Sequence, residues 1–163
     1  MIIVAFLLLL AVFDLFVGVS NDAVNFLNSA IGSKVATFRT VLIIAAVGVL
    51  VGAFMSAGMM DVARHGIMRP DHYSFHEVMI VFLAVLVADV VILDMFNTLG
   101  MPTSTTVSLV FELLGATFVL AVIKMASDNT LTFNDLLNSD KALSVIIAIF
   151  VSVAIAFIFG IVV

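Results

Sequence analysis

Asn21, Asp22, Asn25, Asn28, Ser29 and Ser33 lie in one polar stretch, Gly18 to Thr37, set between two apolar runs long enough to enter a bilayer. If this stretch is helical from about Asn21, spacings of four and three place Asn21, Asn25 and Asn28 on one face, as they do Asp22, Asn25, Ser29 and Ser33. Amides, a carboxylate and hydroxyls then converge. Such an island must leave the membrane or line something inside it, and the convergence favours the second.

A second group follows Pro102. Thr103, Ser104, Thr105 and Thr106 are hydroxyl-bearing, and Ser104, Ser108 and Glu112 recur at intervals of four, on one helical face. Gly18-Val-Ser20 and Gly100-Met-Pro102 each read as a helix break ahead of a segment whose first turn is rich in amides or hydroxyls. Discontinuous membrane helices present their N-termini to a central site in this way. A helix N-terminus offers free N–H donors and about half a positive charge, so it attracts anions. Neither first turn contains arginine, so an oxyanion would be held by dipoles and neutral donors.

Carboxylates next to an anion repel it. Sodium bound by Asp22 and Asn25 oxygens, or a proton on the carboxylate, removes that conflict and makes anion binding conditional on a co-ion. This is the requirement for symport. An ionisable side chain in mid-membrane costs about 2.5–3.5 kcal/mol on insertion scales, and Asp14, Asp22, Asp89, Asp94 and Glu112 all bear on that cost. Asp89, Asp94 and Glu112 are therefore candidates for coupling, with Glu112 a candidate for tuning the pH response. An intramembrane aspartyl hydrolase would use two of Asp14, Asp89 and Asp94 as an acid–base pair; Asp89 and Asp94 are five apart and do not share a face, which argues against it. No enzymatic activity and no resident cofactor are expected.

The elements that must position these groups follow from composition. Of 163 residues, 64% are hydrophobic and 10% charged, with a mean hydropathy of +1.38, which excludes a soluble domain. No basic patch for nucleic acid is present, and the absence of cysteine removes disulfides, thiolate metal sites and a Cys nucleophile. The expectation is an all-α, multi-pass integral protein of the cell membrane, in contact with lipid: a single transmembrane domain over 1–163. Spans are expected at about 2–17, 40–60, 78–96, 103–125 and 142–163, with 18–38 a broken or re-entrant polar segment. The N-terminal run lacks a basic leader and a cleavage site, so it reads as membrane-inserted and not as a signal peptide.

Gly48 and Gly52, continued by Ser56, make a small-residue stripe that would allow close helix approach. Ser74-Phe-His-Glu77 has capping-box spacing, so a helix should begin near Phe75; a cap between His72 and His76 argues against a metal site there. The 127–141 segment reads as an acidic loop with one short amphipathic turn. Lys34 and Arg39 at one boundary balance Arg64 and Arg69 at another, so the positive-inside count ties.

Asn21-Asp22-Ala-Val-Asn25, followed by Gly32-Ser33-Lys34 and Thr37, resembles the first signature of the inorganic phosphate transporter (PiT) family, Gly-Ala-Asn-Asp-x-x-Asn then Gly-Ser-Lys. Pro102-Thr-Ser104-Thr105-Thr106, with Gly115 downstream, resembles its second, Pro-Val-Ser-Thr-Thr-His. The resemblance implies a secondary transporter taking up inorganic phosphate with sodium or protons, with Asn21, Asp22, Asn25, Ser104, Thr105 and Thr106 around substrate and co-ion. Three positions depart from the pattern. Val19 and Ser20 stand where Gly-Ala is usual, Val107 replaces the histidine, and Glu112 occupies a position where a small residue is common. Family members carry each signature twice, in inverted repeats, whereas this chain carries each once. The expectation is the N-terminal half of such a transporter, completed by a second inverted repeat or a homodimer partner. Another tetrahedral oxyanion such as sulfate, or a noncatalytic membrane subunit, are the alternatives.

Overall fold

The computed structural model describes residues 2–58 and 66–162. Arg64, His65 and the end of the 40–60 span lie outside the described residues. The first helix, α1 (Ile2–Gly32), is 31 residues long, about 46 Å at 1.5 Å per residue. It runs through Gly18-Val-Ser20 without interruption, so the break expected there is absent and the polar stretch continues a spanning helix. The physical reason is energetic. A glycine inside a helix costs only about 0.5–1 kcal/mol, which the packing of α1 on its neighbours offsets, and the Ser20 hydroxyl bonds within the helix to the Phe16 carbonyl at 2.7 Å.

After α1 the chain turns at Lys34, whose φ of 55° is left-handed, and Thr37 caps α2 (Phe38–Phe54) by accepting from Thr40 N at 3.3 Å. This helix is shorter than the 40–60 span read from hydropathy. Cβ atoms built on Gly48 and Gly52 would meet nothing within 4 Å, so no described helix packs on their stripe.

Ser74 opens α3 (Phe75–Leu99) with the expected capping box: its N–H donates to Glu77 Oε2 at 2.7 Å and its hydroxyl accepts from Glu77 N at 3.3 Å. Gly100 closes the helix at φ 67°, a conformation that L side chains avoid. Pro102 follows, and Ser104 caps α4 (Thr105–Ser127), accepting from Val107 N at 3.4 Å. A second capping box, Thr132 with Asp135, opens the short α5 (Phe133–Leu136), and α6 (Ser139–Val162) ends the described chain. No strand occurs among the described residues beyond an isolated bridge between Met68 and Leu137.

By length and composition, α1, α3, α4 and α6 can each cross a membrane. Their large exposed apolar side chains, Phe16 and Phe157 among them, are explained by lipid contact. The protein is an all-α integral membrane protein.

Packing centres on α3. Val81, Val85, Asp89 and Leu93 recur every four residues on its buried face, and α4 answers with Val110, Leu113, Thr117 and Ala121. α1 crosses the same pair. A Cβ on Gly18 would sit 3.8 Å from Thr105 Cγ2 and 4.0 Å from Leu93 Cδ1, so this glycine marks close approach of three helices. At one end of the bundle Lys124 bonds both Glu77 carboxylate oxygens at 2.9 and 3.0 Å and lies 5.1 Å from the Tyr73 ring centre. The Tyr73 hydroxyl donates to the Leu136 carbonyl at 3.2 Å, tying α5 to the start of α3.

Candidate functional site

The two polar groups of the sequence meet. Asn21 Nδ2 and Asn25 Nδ2, one turn apart on α1, donate to the same carbonyl, that of Thr103, at 2.9 and 2.5 Å. A carbonyl oxygen has two lone pairs, so this pair of amides saturates it. Because Thr103 immediately precedes the Ser104 cap, the clamp fixes the N-terminus of α4 against the middle of α1. Asn97 adds a third link from the last turn of α3, its Nδ2 donating to the Val17 carbonyl at 3.4 Å.

With the clamp in place, the Thr105 hydroxyl donates to Asp22 Oδ1 at 3.2 Å. Asp22, Asn25, Ser104, Thr105 and Thr106 line a cavity of about 830 Å³, together with Asn28 and Ser29 further along α1. Among the described residues neither lysine, arginine nor histidine contributes to its wall. The site therefore combines one carboxylate, free backbone N–H groups in the first turn of α4, and hydroxyls. A single helix N-terminus points at it instead of the two expected, since α1 has no break at Gly18.

The clamp also divides the asparagines. Asn21 is only 1% exposed and is not among the residues lining the cavity; its contact is the clamp that positions α4. Asn25 lines the cavity, and with its NH₂ committed to Thr103 its free atom is the amide oxygen, an acceptor suited to a cation. Sodium ligation at Asp22 and Asn25 thus fits the donor set, while the first turn of α4 fits an anion.

Of the coupling candidates, Asp89 and Glu112 come together and Asp94 does not. Asp89 is 4% exposed on the α3 face that meets α1 and α4, while Asp94 lies exposed on another side. Ser108 donates to Glu112 Oε1 at 2.7 Å, as their spacing of four requires. His72 sits in a single 3-10 turn, Pro70–His72, ahead of the cap that starts the helix of His76, so the two do not share a helix. Among the described residues no group of three His, Cys, Asp or Glu side chains is arranged to hold a metal ion.

Two participants and one pairing escape the sequence reading. Asn97 was legible only as an amide near a helix end, and the Thr103 carbonyl is backbone, with no signature of its own. Asp14 stands out in the sequence for its cost in the membrane and as one of three aspartates that could pair, but the sequence does not say that its partner is Asp89.

Comparison with known proteins bears on the same residues. The model of the phosphate transporter family matches residues 18–163. A protein of Thermococcus kodakarensis named as a phosphate permease is 33% identical over 104 residues, covering 63% of this chain and 26% of the relative. The chain thus aligns with about a quarter of that relative's length. No solved structure matches. The family match takes in both polar signatures, the amide clamp and the Asp22–Thr105 contact, and the chain belongs to the phosphate transporter family.

Proposed function

We propose that this chain forms part of a secondary active transporter of inorganic phosphate in the cell membrane, driven by symport of sodium or protons. The observation that carries the reading is the hydrogen bond from Thr105 to Asp22 at the wall of the 830 Å³ cavity. It joins the carboxylate suited to a cation directly to the helix N-terminus suited to an anion. Phosphate rests against the first turn of α4, held by the N–H groups of Thr105 and Thr106 and by the Ser104, Thr105 and Thr106 hydroxyls. The co-ion sits at Asp22 and the Asn25 amide oxygen, cancelling the carboxylate charge that would repel phosphate.

Neutral donors and a dipole discriminate weakly among tetrahedral oxyanions, which makes sulfate the alternative substrate. A second inverted repeat, or a homodimer partner, supplies the opposite wall of the site. The test is radiolabelled phosphate uptake into proteoliposomes under an imposed sodium or proton gradient. Uptake driven by one gradient, resistant to excess sulfate and abolished by Asp22→Ala, is the expected result. Uptake outcompeted by sulfate reassigns the substrate. Function that survives Asn21→Ala and Ser104→Ala favours a noncatalytic membrane subunit.

A further inference from the structure

Asp14 of α1, Asp89 of α3 and Glu112 of α4 meet where the three helices cross, and the site just described uses none of the three. Asp14 and Asp89 line one cavity, Glu112 lines the next beside Ala88, and the Asp14 and Glu112 carboxyls each face that of Asp89. Asp89 is 4% exposed, and its Oδ1 is buried without a hydrogen-bond partner. Asp14 Oδ1 and Glu112 Oε2 are in the same position, while Glu112 Oε1 accepts from Ser108. Ionised carboxylates only accept hydrogen bonds, so three in contact cannot satisfy one another. A buried carboxylate left unpaired costs several kcal/mol.

Among the described residues no neighbouring cation resolves this. The cavity of about 250 Å³ beside Asp14 and Asp89 is also lined by Asp22 of α1 and by Thr105 and Thr106 of α4, and among the described residues no Lys, Arg or His lines it. The charged residues of the surrounding helices lie elsewhere. Arg39 is exposed in the first turn of α2, Asp140 and Lys141 are in the first turn of α6, Asp94 is on the exposed side of α3, and Lys124 is paired with Glu77. A metal ion needs convergent ligands, and these carboxylates are not arranged to give them. A proton needs only two oxygens in contact: placed on one carboxyl, it becomes the donor that its neighbour lacks, as in carboxylate pairs that share a proton.

We infer that Asp14, Asp89 and Glu112 form an intramembrane site for one exchangeable proton, distinct from the co-ion position at Asp22. Loading takes a proton from hydronium in the adjoining cavity, breaking one hydronium O–H bond to leave water and forming one O–H bond on a carboxylate, and unloading reverses the transfer. Asp22, Thr105 and Thr106 line both this cavity and the larger one, so the proton lies one layer of side chains from the anion. Its role in coupling rests on the transport reading; the site itself is testable without transport.

The test is the infrared spectrum of the chain in lipid nanodiscs in D₂O at neutral pH, recorded in sodium chloride and in choline chloride. A protonated-carboxyl C=O band is expected in both salts. It should be lost in Asp89→Asn, lost or shifted in Asp14→Asn and Glu112→Gln, and retained in Asp22→Asn. Asp14→Asn and Glu112→Gln each suffice should Asp89→Asn not fold. The inference is overturned by a wild-type spectrum without the band in either salt, by a band that persists in all three cluster variants, or by one that appears only when sodium is withdrawn. The last would put sodium in the proton's place. Absence of the band alongside intact phosphate uptake defeats this inference alone, whereas a band without uptake defeats the transport reading alone.

Discussion

Thr105 donates its hydroxyl to Asp22 Oδ1 at 3.2 Å, and the two residues are 83 positions apart in the chain. Each belongs to a different polar signature, and each lines the same cavity. The contact makes the carboxylate and the helix N-terminus a single unit, so changes to either side should not act independently.

Asp22→Asn is expected to weaken co-ion dependence more than phosphate recognition, and Thr105→Val to do the reverse. Because the two side chains share a bond, the double variant should lose less than the sum of the singles, with a coupling of about 0.5–3 kcal/mol in apparent affinity. A double-mutant cycle on reconstituted uptake checks this. Strict additivity would mean that the Thr105–Asp22 bond has no energetic role in the loaded state.

Asn21→Ala removes half of the clamp on the Thr103 carbonyl and leaves a gap at a position 1% exposed. We expect a loss of about 1–2 kcal/mol in stability, read as a lowered Tm in detergent. Asn28→Ala, at an exposed position on the same helix, should change Tm little. Equal effects of the two would show that the clamp does not hold α4 in place.

How much was legible in the sequence follows from the range of each interaction. Ser104 caps α4 although its spacing reads as a helical face with Ser108 and Glu112, whereas the start of α3 at Phe75 is readable because its cap is written in four consecutive residues. The break at Gly100-Met-Pro102 was readable for the same reason. Gly18 misled because a glycine that ends a helix and one that admits a neighbouring helix look alike in sequence. Its reason lies in Thr105 and Leu93, far along the chain. The spacing of Asn21 and Asn25 put both on one face, but their shared acceptor is a backbone carbonyl that no side-chain pattern encodes. The meeting of Asp14 with Asp89 depends on how α1 crosses α3, a tertiary fact.

Gly100 and Gly115 separate backbone need from space. Gly100 has φ 67°, so Gly100→Ala should destabilise by about 1–2 kcal/mol although nothing lies within 4 Å of the added methyl. Gly115 lies in the helical interior of α4 with equally open space and no positive φ, so Gly115→Ala should stabilise by about 0.5–1 kcal/mol. Thermal unfolding of both variants in one detergent is the measurement. A tolerated Gly100→Ala would mean that the turn before Pro102 has another available conformation.

Tyr73 is the only tyrosine and the chain has no tryptophan, so tyrosinate absorbance reports one residue. Burial, and secondarily the Glu77 carboxylate, push its hydroxyl up to about 12 from an ordinary value of 10.0. The folded state thus holds this proton more tightly than the unfolded chain. Between about pH 10 and 12 the unfolded state has lost the proton and the folded state keeps it, so stability present below pH 10 is lost as pH rises through that window. Spectrophotometric titration should give a midpoint near 12 in the folded protein and near 10 after denaturation, with Glu77→Gln lowering the folded midpoint only slightly because burial is the larger cause. A folded midpoint near 10 would place the hydroxyl in water and remove its bond to the Leu136 carbonyl, and with it the tie between α5 and the start of α3.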